Sequence, residues 1–297
     1  MARFSEDELV NFTKPPSDTE EAKLENAERM VKEALREDKT LQEMDTTVFG
    51  QGSYANDTNV RLNSDIDINV RYNSVFYFDL PQGKVRSDFG LNSPSTYTFS
   101  EYKKAVENAL VKKFGRSAVT PYDKCITISA SPSRVETDVV PTWLYRRYSE
   151  DGSSVEGVKF IADSGSVIKN FPIQHIENGK EKNALTQKRF KRLTRIFRRI
   201  RYHMIDNHVP VNDHITSFLV ECLVWNVPNR IFNDYHNWTN RLRNSLVWLY
   251  GNTDEDSKCK EWGEVSEYLY LFRPSRKWSR EDVNNYIVQM WGYVGYD

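Results

Sequence analysis

Three acidic side chains and one glycine-serine turn are the residues of this chain best suited to chemistry. Phe49-Gly50-Gln51-Gly52-Ser53-Tyr54 reads as a strand running into a turn with two glycines and a serine. Such a turn lets backbone N–H groups come close to a phosphate, and a helix starting there adds its positive end. Taken alone, most stretches of this kind are ordinary turns. Asp65-Ile66-Asp67 begins twelve residues after Ser53. On a strand, residues i and i+2 point to one side, so Asp65 and Asp67 share a face while Ile66, Ile68 and Val70 take the core side. Two carboxylates side by side repel unless a cation lies between them, and Mg²⁺ prefers oxygen ligands of this kind. A lone Asp-x-Asp is more often a solvated acidic edge. The third acid is Asp138, in Arg134-Val135-Glu136-Thr137-Asp138-Val139-Val140. An unpaired acid inside a β-branched strand is costly to bury, and a metal shared with Asp65 and Asp67 removes that cost. Alternation places Glu136 on the face of Asp138, so spacing alone leaves either as the ligand.

The elements that must position these residues follow from periodicity and punctuation. Ser17 and Glu20 form a capping box, and Leu24, Ala27, Met30, Val31, Ala34 and Leu35 recur at helical spacing, which predicts a helix over about 18–38. Thr46 to Phe49 and Asp65 to Arg71 read as strands, the second strictly alternating. The region 73–97, with Pro81, Gly83, Gly90 and Pro94, reads as irregular. Thr98 and Glu101 form a second capping box before a helix carrying Tyr102, Ala105, Val106, Ala109 and Leu110. Lys124–Ala130 and Arg134–Val140 read as strands joined by Ser131-Pro132-Ser133, and another strand pair flanks Asp151-Gly152. Beyond about residue 163 helical periodicity takes over. Phe190, Leu193, Phe197, Ile200 and Met204 make one face, Ile215, Phe218, Leu219, Cys222 and Leu223 a second, and Leu242, Leu246, Val247 and Tyr250 a third.

Composition narrows the class. With 297 residues, 39% hydrophobic and 28% charged, the chain is long enough for one large domain or two sharing a cleft. No apolar run is long enough for a membrane span, and MARFSEDELV lacks an apolar signal core, so a cytoplasmic location is expected. The three cysteines, Cys125, Cys222 and Cys259, form no paired motif and read as reduced thiols. The five histidines show no ligand spacing. A net charge of −1 argues against a globally basic nucleic-acid coat.

The combination is more specific than its parts. A strand, a GS turn, a twelve-residue step, an Asp-Ile-Asp strand and a later strand with a single acid resemble the polymerase-β-like nucleotidyltransferases. GSYANDTNVRLNSDIDINV, NFPIQHIENGKEKN (170–183) and SFLVECLVWNVP (217–228) are further similar to the bacterial cGAS/DncV-like nucleotidyltransferases, clade E. That resemblance implies an α+β fold, a polymerase-β-like core with a C-terminal helical lobe in a bilobed arrangement. The expected division is 1–162 for the core with its N-terminal helix and 163–297 for the helical lobe. It implies two-metal attack of a hydroxyl on an NTP α-phosphate with loss of pyrophosphate, using two Mg²⁺ ions, for which Mn²⁺ can substitute. Asp65, Asp67 and Asp138 match the metal carboxylates. Gly52 and Ser53 match the GS motif beside Gln51, with Ser53 on the donor phosphates. Ser217 resembles the serine that meets the triphosphate from the helical lobe, and an ordinary helix-start serine is the equal alternative. Arg198 falls closest to the helix cation of relatives, where Lys is common. Lys191 and Arg195 share its stripe among eight basic residues from Lys188 to Arg201, most of which read as a solvated face. Asn170 matches the asparagine of pyrimidine-using members, where purine-specific relatives often carry Ser. His175 and Asn183 have no assigned role, and Trp143, Tyr145 and Tyr148 are stacking candidates better explained as core.

The resemblance thus implies a cyclic dinucleotide synthase using UTP, with cyclic di-UMP as product or, with ATP as second substrate, cyclic UMP-AMP. The product is expected to serve as a second messenger in CBASS anti-phage defence, read by a separate effector. A monomer with no membrane or obligatory nucleic-acid partner is expected. The alternatives are a linear nucleotidyltransferase acting on RNA ends or a small-molecule hydroxyl, and a non-catalytic nucleotide binder. Retention of all three acids counts against the last.

Overall fold

The computed structural model of the chain describes residues 2–61, 65–91, 95 and 97–296. It divides into two compact units. The sheet unit comprises Asp18–Tyr54 and Ser64–Pro172, and the helical unit comprises Met1–Ser17, Ala55–Asn63 and Ile173–Asp297. The expected cut at 162/163 is therefore replaced by an interleaved division. Strand pairing carries the sheet unit past residue 163. The segment after the GS turn joins the helices because arginines of the helical unit hold its carbonyls.

The sheet unit is built on seven strands: β1 (Thr46–Gln51), β2 (Ile66–Asp79), β3 (Val119–Pro121), β4 (Ile126–Ile128), β5 (Thr137–Tyr148), β6 (Ser154–Ile161) and β7 (Val167–Asn170). Their order is β1-β2-β5-β4-β3, with β6 pairing to the far half of β5 and to β7. β1 runs antiparallel to β2, and β2 parallel to β5. Helices α2 (Asp18–Glu37) and α5 (Phe99–Phe114) cover one face, with two single turns, α3 (Lys39–Gln42) and α4 (Gly52–Ala55), between them in sequence. Leu24, Ala27 and Val31 of α2 and Tyr102, Val106 and Leu110 of α5 bury against Ile66, Ile68, Val70, Ile126, Ile128 and Val139. Each Val, Leu or Ile side chain among them contributes roughly 1.5–3 kcal/mol when fully buried. The Thr98/Glu101 capping box forms as expected.

Several boundaries differ from the sequence reading. β2 starts at Ile66 rather than Asp65 and continues to Asp79, through a stretch read as irregular. The reason is the Val75-Phe76-Tyr77-Phe78 run, which pairs with β5 after a register shift between Tyr72 and Phe76. Asn92, Ser93, Pro94 and Thr96 lie outside the described residues. β5 starts at Thr137, three residues later than expected, and Glu136 precedes it as an exposed residue. β7 is a strand where helix was expected. The hairpin at Asp151-Gly152 is present, joining β5 to β6.

The helical unit holds α1 (Glu6–Phe12), most of α6 (Pro172–Leu185), α7 (Arg189–Asp206), α8 (Ser217–Asn226), α9 (Asn229–Asn233), α10 (Trp238–Thr253), α11 (Asp256–Cys259) and α12 (Arg280–Val294). Its core gathers Leu9, Phe190, Leu193, Phe197, Ile200, Leu219, Leu223, Leu242, Leu246 and Ile287. The third expected face is corrected. Leu242, Leu246 and Leu249 are buried, whereas Val247 and Tyr250 are exposed and line an apolar groove with Val288 and Trp291. None of the described helices is long and apolar enough to cross a membrane.

Candidate active site

Strand register assembles the site. Gln51 of β1 is the Cα partner of Asp67 in β2, Asp67 of Asp138 in β5, and Asp138 of Thr127 in β4. Directly paired residues point to one face of a sheet, so these four side chains form a row across four strands, with neighbouring backbones about 4.8 Å apart. The next row, Gly50, Ile68, Val139 and Ile126, faces the opposite way, and its Ile and Val side chains enter the core. Alternation thus puts two acids on the face away from the core.

Gly52 follows the end of β1 with φ +66°, a left-handed conformation that favours glycine. A β-carbon there would lie 2.1 Å from Asp67 Oδ2. The Asp67 carboxylate therefore occupies the space that a side chain at 52 would fill. Ser53 follows in α4, the single turn after the GS bend.

Asp138 is held from the other side. Thr127 Oγ1 donates to its Oδ1 at 2.5 Å. Cys125 Sγ lies 3.7 Å from the Thr127 hydroxyl. Burial, with the charges of Asp138 and Asp67 adding to it, pushes the Cys125 thiol up to about 11. The thiol is therefore neutral at ordinary pH. One step deeper on the same face, buried Asn69 accepts from Thr142 Oγ1 at 2.7 Å and donates to Gln51 Oε1 at 3.1 Å. This chain orients the Gln51 amide. Thr127, Asn69 and Thr142 were not singled out from the sequence. A polar residue at the alternating position two beyond Asp67 was the one available signal for Asn69; for Thr127 there was none, because only the β4–β5 register makes it a neighbour of Asp138.

Asp65 lies just before β2 and is exposed. The ladder begins where Ile66 N–H donates to Glu136 O at 3.2 Å, so both Asp65 and Glu136 stand at its mouth rather than in the row. The donor set of Asp65, Asp67 and Asp138 is all carboxylate oxygen, which suits a hard divalent cation. Two of the acids are register partners, which fits a shared ion. As the side chains stand, no three His, Cys, Asp or Glu among the described residues converge on one point, and the Asp138 carboxylate is turned toward Thr127.

The other expected site residues fall in different places. Asn170 ends β7, half-buried, and its side-chain amide makes no hydrogen bond among the described residues. Its main chain packs tightly on β6, since a β-carbon at Gly157 would lie 2.6 Å from Asn170 O. Ser217 is the first residue of α8, capped by Thr216, with its hydroxyl 3.1 Å from Tyr202 Oη. Arg198 is buried in the helical unit and donates from Nη1 to Thr58 O at 3.0 Å. The solvated face expected for the basic stripe of α7 is corrected. Lys191, Arg195 and Arg198 are all buried, and Arg195 is ion-paired with Asp57. His175 is structural, 3.1 Å from Glu221 Oε1, whose other oxygen accepts from Thr58 Oγ1 at 2.8 Å. Asn183 Oδ1 accepts the Lys191 N–H. Trp143 packs on Tyr77 and Phe99 and Tyr145 on Phe171, both as core, while Tyr148 lies at a tilt against Phe89.

Comparison with known proteins places this geometry. Residues 177–295 match the model of the cGAS/DncV-like nucleotidyltransferase C-terminal helical domain. The chain is 61% identical over 294 residues to the cyclic dipyrimidine nucleotide synthase CdnE of Cecembia lonarensis, covering 99% of both. It is 38% identical over 298 residues to a cyclic dipurine nucleotide synthase of Elizabethkingia meningoseptica, again covering 99% of both. Among solved structures it is similar to the Rhodothermus marinus CdnE c-UMP-AMP synthase with Apcpp and Upnpp, with TM-score 0.85, 27% identity, and 99% and 97% of the two chains covered. With the paired acids of β2 and β5, the glycine-serine turn and a helical C-terminal domain of matching type, the chain belongs to the cGAS/DncV-like nucleotidyltransferases.

Proposed function

We propose that the enzyme joins NTPs into a cyclic dinucleotide containing at least one pyrimidine, with UTP as the main substrate and pyrophosphate as the leaving product. The observation that carries the pyrimidine is the 61% identity, over nearly the whole chain, to a cyclic dipyrimidine nucleotide synthase. Membership of the family alone does not choose the base, since a 38% identical relative is named for purines. Asn170 supports the same choice, because an amide presents both a donor and an acceptor to a base edge. Cyclic di-UMP is the first reading. Cyclic UMP-AMP is the second, favoured by the similarity to the Rhodothermus enzyme.

In this reading Gly52 keeps the space into which the Asp67 carboxylate projects, and the Ser53 hydroxyl bonds a donor phosphate oxygen. Asp138 orients the acceptor hydroxyl and takes its proton, with Thr127 holding the carboxylate in place. Gln51, set by Asn69 and Thr142, lines the row beside them. Asp65, Asp67 and Asp138 would hold Mg²⁺, which when bound would neutralise charge at the α-phosphate and make the acceptor hydroxyl more acidic. Arg198 and Ser217 are assigned to a nucleotide phosphate, Arg198 through a change of partner from the Thr58 carbonyl. The protein acts as a monomer in the cytoplasm. Its product is a second messenger of CBASS anti-phage defence, sensed by a separate effector.

The test is incubation with all four labelled NTPs and Mg²⁺, repeated with Mn²⁺ and with EDTA, followed by phosphatase and separation. Asp65→Ala/Asp67→Ala is the control. A phosphatase-resistant product that requires UTP and is lost in the control is expected. A resistant product made from purines alone would overturn the pyrimidine reading, and a phosphatase-sensitive product would favour linear transfer.

A further inference from the structure

A charged cavity lies wholly within the helical unit, and nothing in the nucleotidyl-transfer reading uses it. It measures about 270 Å³ and is lined by Lys14, Lys188, Lys191, Arg192 and Arg195, with Asp57 as its one carboxylate. Three of the cations, Lys191, Arg192 and Arg195, come from α7, and Lys188 is its N-cap. Residues 191 and 195 stand at i and i+4, and 192 and 195 at i and i+3, spacings that bring side chains together on a helix surface. Like charges at that spacing destabilise a helix, and burying them costs more. Yet Lys191 and Arg195 are only 7% and 4% exposed.

The two buried cations are not equally satisfied. The Arg195 guanidinium donates to the carbonyls of Thr13, Asn59 and Asp57 and pairs with the Asp57 carboxylate. Its donors are spent on protein oxygens. Lys191 Nζ lies 3.8 Å from Asp57 Oδ2, beyond hydrogen-bond distance, and has no acceptor among the described residues. Burial holds its ammonium below the usual lysine range. Lys188 and Arg192 are exposed at the rim of the cavity. Lys188 reaches its place through two consecutive left-handed residues, Gln187 at φ 52° and Lys188 at φ 64°, fastened by Lys188 N–H to Asn183 O. The result is a concave site with one largely buried lysine whose ammonium has no hydrogen-bond acceptor among the described residues, exposed cations at its rim and a positive excess.

We infer that this cavity binds a small polyphosphate anion, a di- or triphosphate group, through Lys188, Lys191 and Arg192. A monovalent carboxylate is a poorer match, because Asp57 already provides one and leaves most of the charge uncompensated. A nucleic-acid backbone is also a poorer match, because Lys191 is 7% exposed and a phosphate that meets it must enter the cavity. A terminal phosphate group has the charge and the acceptor oxygens to satisfy Lys191 and both rim cations at once. Free pyrophosphate and the tail of a nucleoside triphosphate share this chemistry. The inference does not depend on which bases the enzyme joins.

The experiment uses the full chain carrying Asp65→Ala/Asp67→Ala, in EDTA, so that metal-dependent binding at the row of acids is removed. Pyrophosphate, ATP and UTP are titrated separately by calorimetry. One saturable site is expected for at least one of them, weakened at least ~10-fold by adding Lys188→Ala/Arg192→Ala, since two charge-assisted hydrogen bonds are lost. These two residues are exposed, so an unchanged melting temperature shows that the fold is kept. Tighter binding of pyrophosphate than of either nucleotide supports the site and identifies the free anion, and the reverse supports it and identifies the nucleotide tail. Absence of metal-independent binding, or binding unchanged by Lys188→Ala/Arg192→Ala, would overturn the inference. So would a 20-nucleotide RNA that binds more tightly than any of the three anions and loses affinity through the same two substitutions, which would make the face a nucleic-acid surface.

Discussion

Replacing Gly52 by alanine tests the assembly of the acidic row more directly than removing an acid. The new methyl carbon would lie 2.1 Å from Asp67 Oδ2 and 3.0 Å from its Cγ. Ordinary contact between such atoms needs about 3.5 Å, so the carboxylate must retreat by more than about 1 Å. A displacement of that size in a reacting constellation costs on the order of 10²-fold in rate. Independently, alanine at φ +66° carries a left-handed backbone penalty of about 1–2 kcal/mol. Gly90→Ala separates the two effects, because Gly90 has nearly the same φ, +68°, with nothing within 4 Å of its β-carbon position. The expected result is similar loss of thermal stability in both variants, and a rate loss of about 10²-fold confined to Gly52→Ala. Pyrophosphate release at saturating NTP and Mg²⁺ and a thermal melt measure the two quantities. If Gly52→Ala retains a rate within about threefold of the parent, less than 1 kcal/mol in barrier, the Asp67 carboxylate is not where the reaction needs it and the reasoning fails.

Three further outcomes are expected. Thr127→Val removes the donor to Asp138 and lowers kcat about 10- to 100-fold, as a charged hydrogen bond is worth about 1.5–3 kcal/mol, with nucleotide KM little changed and Thr127→Ser restoring most of the loss; steady-state kinetics check it. Asn170→Ser moves base choice away from uracil, read as a fall in the share of label from UTP relative to ATP and GTP in the phosphatase-resistant product. Burial depresses Lys182 to about 8, while its ammonium donates to Val227 O and lies over the rings of Trp225 and Phe232. The unfolded chain then holds more protons than the folded one between pH 8 and the ordinary lysine value of 10.5, so stability rises with pH across that window, by roughly 3 kcal/mol at most. Lys182→Met lacks that increment, and the difference between the two proteins in denaturant unfolding at pH 7.5 and pH 10.5, values chosen about the lysine window, would be absent if the ammonium is not buried.

The turn and the faces of β2 were legible in the residues that carry backbone constraints. Gly52 in a GS turn, and the alternation of Ile66, Ile68 and Val70 beside Asp67, point to a left-handed turn and to an acid opposite the core before any coordinates. The strand limits were less legible, because Val75-Phe76-Tyr77-Phe78 has β propensity but sits among glycines and prolines that suggest a break. Pairing to β5 outweighs those signals. The partner of Asp138 was out of reach altogether. Thr127 lies eleven residues earlier, and nothing local to either residue says that they share a level of the sheet.

The sequence by itself determined which residues belong to faces. Period-two spacing sorts acids from core on β2, and period 3.6 puts Lys191, Arg195 and Arg198 on one stripe of α7, because both patterns arise from the geometry of a single element. Only the tertiary structure decided what meets those faces. The Gln51–Asp67–Asp138–Thr127 row depends on the register of four strands, and register is set by pairing between distant segments. The burial of Lys191, Arg195 and Arg198 likewise depends on residues 55–63 and the N-terminal segment, which supply Asp57, Thr58 and Thr13 as partners. A helix carries its charge pattern wherever it goes, but whether that pattern faces water or a carbonyl is fixed by the elements packed against it.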